Sequence, residues 1–205
     1  YPALGGFQVE HATIDERIAY LYAEHRMEER FQLMETVALP CLREQTDQNF
    51  ELIIVIGDSL PKLHHDRLHD LTADMPQVRI VSEPPRPQRE VMKELLNAAR
   101  KDPSEPCLQF RHDDDDAISV DFIERLRQTV RDCPGLIRDN RTVAVDFNRG
   151  YVAELGAQGI LATETVRSLY VASLCRYETG LSTRPEYSCA RARIGLRLPA
   201  VGSTH

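Results

Sequence analysis

Tryptophan is missing from this chain, and aromatic residues of every kind fill only 6% of its 205 positions. Glycine is sparse at 10 residues. None of the glycines falls in a Gly-x-Gly-x-x-Gly, Walker or Gly-x-Ser-x-Gly pattern, so those phosphate cradles and the nucleophile elbow are excluded. The five cysteines, Cys41, Cys107, Cys133, Cys175 and Cys189, contain no Cys-x-x-Cys pair. An odd, scattered set gives neither a disulfide framework nor a zinc site. Cys107 and Cys175 lie in apolar runs and read as small core residues. A reducing, cytoplasmic compartment is the expectation. No apolar run reaches the roughly 18 residues that a membrane span needs, and no signal peptide is visible. Positive charge is in deficit, with 25 Lys and Arg against 32 Asp and Glu and a net charge of −7. A nucleic-acid partner, which calls for a basic face, is therefore not expected.

What remains is ordinary for a folded domain: 42% hydrophobic and 28% charged residues, enough for one sizeable core. From Asp15 to Thr46 apolar residues recur at helical spacing, with Pro40 expected to kink or split the run. Phe50 to Ile56 is a β-branched run bounded by turn residues, the pattern of a buried strand. Pro61 opens a helix to about Ala73. Val78 to Ser82 is a second strand, Arg89 to Arg100 a helix, and Cys107 to Phe110 a third strand. Ser119 is expected to cap a helix reaching Cys133. Strands alternating with helices imply parallel βαβ units. After Pro134 the pattern turns antiparallel: Thr142 to Phe147 and Tyr151 to Leu155 flank a short connection at Asn148-Arg149-Gly150. Ile160 to Thr163 and Ser168 to Leu174 are further strands. The expected architecture is a single α/β domain over 1–205, Rossmann-like, with a mixed sheet flanked by helices. Residues 15–133 form its parallel half and 134–205 its more antiparallel half.

The most informative feature is the run Asp113, Asp114, Asp115, Asp116, directly after the third strand. Four adjacent carboxylates repel one another, so packing gives no reason for them. A hard dication such as Mg²⁺ or Mn²⁺ does, because it takes oxygen ligands, often one or two carboxylates plus substrate phosphates. The carboxyl end of a strand is also where open α/β sheets bind ligands. A solvated acidic loop is the plainer alternative. An EF-hand beginning at Asp113 fails, because Ile118 stands where glycine is required. A phosphatase of the Asp-x-Asp-Gly-Thr kind fails, because Asp116-Ala117-Ile118 follows the second acid. His64, His65 and His69 fall on a predicted helix without a suggested third zinc ligand.

The segment Leu39 to Ser59, LPCLREQTDQNFELIIVIGDS, resembles the opening of family-2 glycosyltransferases of the GT-A fold: a helix ending in Gln-Thr, then a strand ending in acid. Asn97 to Leu126 resembles their next block, with a helix Asn, a strand, the Asp-x-Asp motif and a helix opening Asp-Phe. FRHDDDDAISVDFIERL is closer still to a bacterial rhamnosyltransferase-like group. The resemblance covers about residues 20–130. The family's first strand is absent or reduced to the residues around Tyr1, and nothing after about Tyr177 matches.

The resemblance implies a metal-dependent, inverting glycosyltransferase. Its partners are a nucleotide-sugar donor and a glycan, lipid-linked sugar or other hydroxyl acceptor. It implies Mg²⁺ or Mn²⁺ as cofactor, with Asp115 as first ligand, Asp113 on the ribose or a metal-bound water, and Asp116 as third candidate. Asp114 points away if strand geometry persists. Asp58 either binds the nucleobase or ribose or closes a turn. Arg89 and Lys93 approach a phosphate or stay solvated, and Asn97 either bonds the donor or is a tolerated polar residue. For the catalytic base, Asp146, Glu154, Glu164, Glu178 and Glu186 all lie downstream, with a slight lean to Glu178 and Glu186. Tyr151, Tyr170, Tyr177 and Tyr187 offer sugar stacking or core packing. Two competing functions use the same acids: a metal-dependent phosphohydrolase or nucleotidyltransferase, and a non-catalytic nucleotide-binding domain.

Overall fold

A computed structural model describes residues 1–4, 11–102, 104–169 and 174–178, together with the backbone of 193–194. The helical stretch after Asp15 is three helices. The first, α1, is Ile14–Leu21, and Thr13 caps it by accepting the Glu16 N–H at 3.1 Å. The second, α2, is Glu24–Leu33. A π-helical turn at Met34–Ala38 leads into α3, Leu39–Arg43. Pro40 explains that widened turn. It has no N–H to donate, and its ring would collide with the preceding turn of an α-helix. The Leu39 N–H instead bonds back to the Met34 carbonyl, five residues away, and the ring is accommodated at the start of α3.

β1 (Leu52–Gly57), α4 (Lys62–Thr72) and β2 (Val78–Glu83) form the expected parallel βαβ unit, with Leu52 paired to Val78 and Gly57 to Glu83. α5 (Gln88–Ala99) follows. The Tyr1 amino group donates to the Val55 carbonyl of β1 at 3.5 Å, and Leu4 bridges to Pro87, just before α5. Gly57 has no room for a side chain, since a Cβ would lie 2.2 Å from the Tyr22 hydroxyl and 2.6 Å from Pro2 Cδ.

The single mixed sheet is where expectation and structure part. β3 (Cys107–Phe110) does not extend the parallel pair. It joins a second sheet of order β3-β7-β4-β8, where β4 is Thr142–Asp146, β7 is Leu174–Glu178 and β8 is Arg193–Ile194. β3 and β4 both run antiparallel to β7, and β8 is parallel to β4. Of the strand expected at Ser168 to Leu174, Ser168 and Leu169 form a turn and Leu174 opens β7, while residues 170–173 lie outside the described residues.

The hairpin is also displaced. β5 (Arg149–Gly156) pairs with β6 (Gly159–Val166) and not with β4, so the turn is Ala157-Gln158. Gly159 takes φ +114°, open to glycine and strained for other residues. Asn148 accepts from the Arg167 N–H at 2.8 Å, which closes the root of this arm. Beyond the root the arm is largely exposed on both faces, with Tyr151 and Ile160 above 70% accessible at 73% and 72%.

α6 (Phe122–Asp132) begins three residues after Ser119, because Val120-Asp121 form a turn closed by the Phe122 N–H to the Ser119 carbonyl at 3.0 Å. α7 is Pro134–Asp139. The main core joins α3 and α6 to one face of the second sheet: Leu39, Leu42, Ile118, Phe122, Leu126, Val145 and Cys175. Phe122 packs edge-on to Phe110 at 5.1 Å and to Phe147 at 5.4 Å. A smaller cluster of Phe31, Ile56 and Leu68 seats α2 and α4 on the first sheet. Among the described residues no helix is long and apolar enough to cross a membrane.

Candidate functional site

β3 delivers the acidic run. Its last core residue is Phe110, after which Arg111 and His112 lead to a turn in which the Asp116 N–H bonds the Asp113 carbonyl at 3.2 Å. Behind that turn Ile118 is buried in the core. Gln45, at the end of the α3 segment, holds the chain that follows. It is only 3% exposed. Its Nε2 donates to the Cys41 and Ser119 carbonyls, each at 2.8 Å. Its Oε1 accepts the Ile123 N–H at 3.0 Å. That last bond satisfies a first-turn donor of α6, which has no side-chain cap of its own. The neighbouring Thr46 adds an N–H to the Val120 carbonyl and a hydroxyl to Glu124, both at 2.8 Å. The Gln-Thr pair is thus the clamp for the loop between the tetrad and α6.

The four acids divide by partner. Arg111 grips Asp113 with Nε at 2.7 Å and Nη2 at 2.6 Å. Arg30, from α2, forks Asp114 with Nε at 2.7 Å and with Nη2, and reaches Asp115 Oδ2 with Nη1 at 3.1 Å. Asp116 has no cation bonded to it among the described residues. Burial pushes its carboxyl pKa up, and the charges of Asp113 and Asp115 push the same way. Asp114 is turned toward Arg30, whereas Asp113, Asp115 and Asp116 each offer a carboxylate oxygen, and these oxygens lie within 4.8 Å of one another. Four carboxylates against two guanidiniums leave this patch two negative charges in excess. His112, behind it, has its pKa lowered by burial, although Asp113 and Asp115 pull the other way. Neither of its ring nitrogens has a partner among the described residues.

The other expected site residues are spread wider. Asp58 follows the last residue of β1, with its N–H bonded to the Glu83 carbonyl at 3.1 Å. Arg89, Lys93 and Asn97 stand on successive turns of α5, four residues apart. No ion pair joins Arg89 or Lys93 to the tetrad among the described residues.

Strand pairing separates the downstream acids. Asp146, the last residue of β4, is paired with Leu174, one row beyond the Phe110–Cys175 pair of β3. It therefore ends its strand on the tetrad's side, two strand spacings or roughly 10 Å across the sheet from Arg111. It is 2% exposed, and its Oδ2 accepts the Leu169 N–H at 2.6 Å. Glu178 lies opposite Cys107 and Thr142, at the far end of the same strands, with Oε1 bonded to Arg176 at 2.9 Å. Glu154 and Glu164 are exposed on the β5-β6 arm. Glu186, Tyr170, Tyr187 and Cys189 lie outside the described residues. Tyr177 is a core residue at 5% exposure, and Tyr151 sits on the arm.

Among the described residues His64, His65 and His69 gather no third ligand. His65 and His69 lie tilted at 50° to one another with ring centroids 4.5 Å apart, and His64 stacks on Phe31. Arg30 and Gln45 are the residues that sequence reasoning missed. Gln45 was visible only as half of a Gln-Thr turn. Arg30 sits in a run of charged residues, EHRMEER, with nothing local to single it out.

No curated protein and no solved structure matches the chain. A family model does, over residues 1–205, and its description is "Putative rhamnosyl transferase". With the acidic turn at the end of β3 and a match spanning every residue, the chain belongs to that rhamnosyltransferase-like family and is a glycosyltransferase.

Proposed function

We propose that this protein transfers a sugar from a nucleotide diphosphate donor to an acceptor hydroxyl with inversion, in a GT-A-like domain, and that its acidic turn holds Mg²⁺ or Mn²⁺. The observation that carries the reading is the convergence of Asp113, Asp115 and Asp116 within 4.8 Å at the carboxyl end of β3. Three hard oxygens fit either ion, and the excess of two negative charges matches one dication. Such an ion, when bound, supplies Lewis-acid stabilisation of the charge on a departing diphosphate.

The remaining work falls to the chain. Arg111 holds Asp113 and Arg30 holds Asp114, so the turn keeps its shape despite four adjacent charges. Asp58 accepts hydrogen bonds from the nucleobase or ribose, and Arg89, Lys93 and Asn97 face the donor along α5. Asp146 is the acid we assign as general base. Support comes from its position at the tetrad's end of the sheet; Leu169 fixes Oδ2, and Oδ1, buried and without a partner among the described residues, is the oxygen that would take the proton of an acceptor seated against it. The family's name makes an activated rhamnose the first donor to try.

The test is a thermal-shift screen of UDP, GDP and dTDP, each with and without Mn²⁺. The true ligand at a hundredfold excess over Kd stabilises by about 2.7 kcal/mol. Asp115→Ala is expected to remove the Mn²⁺-dependent part of that shift. A shift of undiminished size in Asp115→Ala would refute the metal assignment. Binding without turnover of any sugar donor would favour a non-catalytic domain.

A further inference from the structure

Arg30 belongs to no motif, yet it touches two of the four acids. Its backbone is fixed, because the next residue, Phe31, is 5% exposed within the α2–α4 cluster. Its side chain is 32% exposed and that of Asp115 is 45% exposed, so the contact between them opens to solvent. Two of its nitrogens, Nε and Nη2, are committed to Asp114. Asp114 is the one acid outside the converging trio. The third nitrogen, Nη1, is bonded to Asp115, which is inside it. One guanidinium therefore straddles the boundary between a carboxylate that only anchors it and a carboxylate that a dication would claim.

Resting on the proposed function above, we infer that Arg30 is a diphosphate-binding residue whose Nη1 exchanges partners, from Asp115 in the free protein to a donor phosphate oxygen in the metal-loaded one. A dication at Asp113, Asp115 and Asp116 withdraws electron density from Asp115 and repels a guanidinium 3.1 Å from that carboxylate. An anion placed between the two cations removes the repulsion. Guanidinium N–H groups match phosphate oxygens in geometry and bond them strongly. Asp114 keeps both of its hydrogen bonds from the same guanidinium throughout, so the side chain stays in place while one donor changes acceptor. Charge points the same way. Once a dication cancels the two excess negative charges, an arriving diphosphate needs a cation beside it, and Arg30 is already at the rim.

The experiment measures two bindings separately. Mn²⁺ binding is followed by loss of the free ion's six-line electron paramagnetic resonance signal. Inorganic pyrophosphate binding is followed by calorimetry at saturating Mn²⁺. Arg30→Ala is expected to bind Mn²⁺ as tightly as the parent or more tightly, because a competitor for Asp115 is gone. Its pyrophosphate affinity is expected to fall roughly 10- to 100-fold, the scale of a lost charge-assisted hydrogen bond. Arg30→Lys, which keeps the charge and guards against loss of fold, is expected to recover part of that affinity. Unchanged pyrophosphate affinity in Arg30→Ala would overturn the inference and leave the proposed function standing. So would weakened Mn²⁺ binding with pyrophosphate unaffected, which would make Arg30 a brace for the acidic loop. A parent protein that binds neither Mn²⁺ nor pyrophosphate would overturn both.

Discussion

Replacing Gln45 by Leu tests how the acidic turn is kept in place. The side chain is nearly enclosed and makes three hydrogen bonds, to the Cys41 carbonyl, the Ser119 carbonyl and the Ile123 N–H. Leucine has a similar volume, so the cost comes from partners and not from a cavity. The bond to Ile123 lies in the interior, and an orphaned buried N–H costs about 1–3 kcal/mol. The two carbonyls are partly buried, at about 0.5–1.5 kcal/mol each. The expected loss is about 2–6 kcal/mol. For a chain of this size that is a fall in Tm of roughly 4–24 °C. In urea the midpoint should fall with the slope m unchanged, since the surface exposed on unfolding is the same. A loss below about 1 kcal/mol would refute the account. It would mean that the loop from Ile118 to Ile123 is held by apolar packing and that the glutamine bonds are replaceable by water.

Three further outcomes follow from the geometry. Gly57→Ala puts a methyl group 2.2 Å from the Tyr22 hydroxyl and 2.6 Å from Pro2 Cδ, so it should destabilise by about 1–3 kcal/mol, and an unchanged unfolding midpoint would show that residues 1–22 yield freely. His112 has a folded pKa held below its ordinary value by burial, so the unfolded chain takes up the proton first and stability should fall as pH drops below about 6.5. His112→Leu should flatten that part of the pH–stability curve, and an identical slope would show that other groups set it. Asp146→Asn should lower kcat for sugar transfer by about 100-fold or more while leaving nucleotide binding within about twofold, and full activity would remove Asp146 from the reaction.

The local elements were readable because they rest on local physics. The FELIIVI run, the VRIVS run and the CLQF run became β1, β2 and β3 within a residue or two at each end. The acids after β3 were equally plain. Long-range pairing was not readable. β3 finds its neighbour in β7, more than 60 residues later in the chain, and nothing in CLQF distinguishes an antiparallel partner from a parallel one. The hairpin misled for a definite reason. Asn148-Arg149-Gly150 carries the stronger turn chemistry, but Asn148 closes the root of the arm by bonding Arg167, and the actual reversal at Ala157-Gln158 is framed by Gly156 and Gly159. Arg30 and Gln45 escaped because the partners that tie them to the acidic loop lie 74 to 85 residues away. In sequence they are a charged residue among charges and a polar residue at a helix end.

The most direct test of the central claim is anomalous diffraction at the manganese edge, from crystals grown with Mn²⁺ and the nucleoside diphosphate that the thermal screen selects. One strong peak is expected about 2.1 Å from carboxylate oxygens of at least two among Asp113, Asp115 and Asp116, with diphosphate oxygens completing its shell. A peak elsewhere, or none beside the acidic turn while the nucleotide is bound, would contradict that claim.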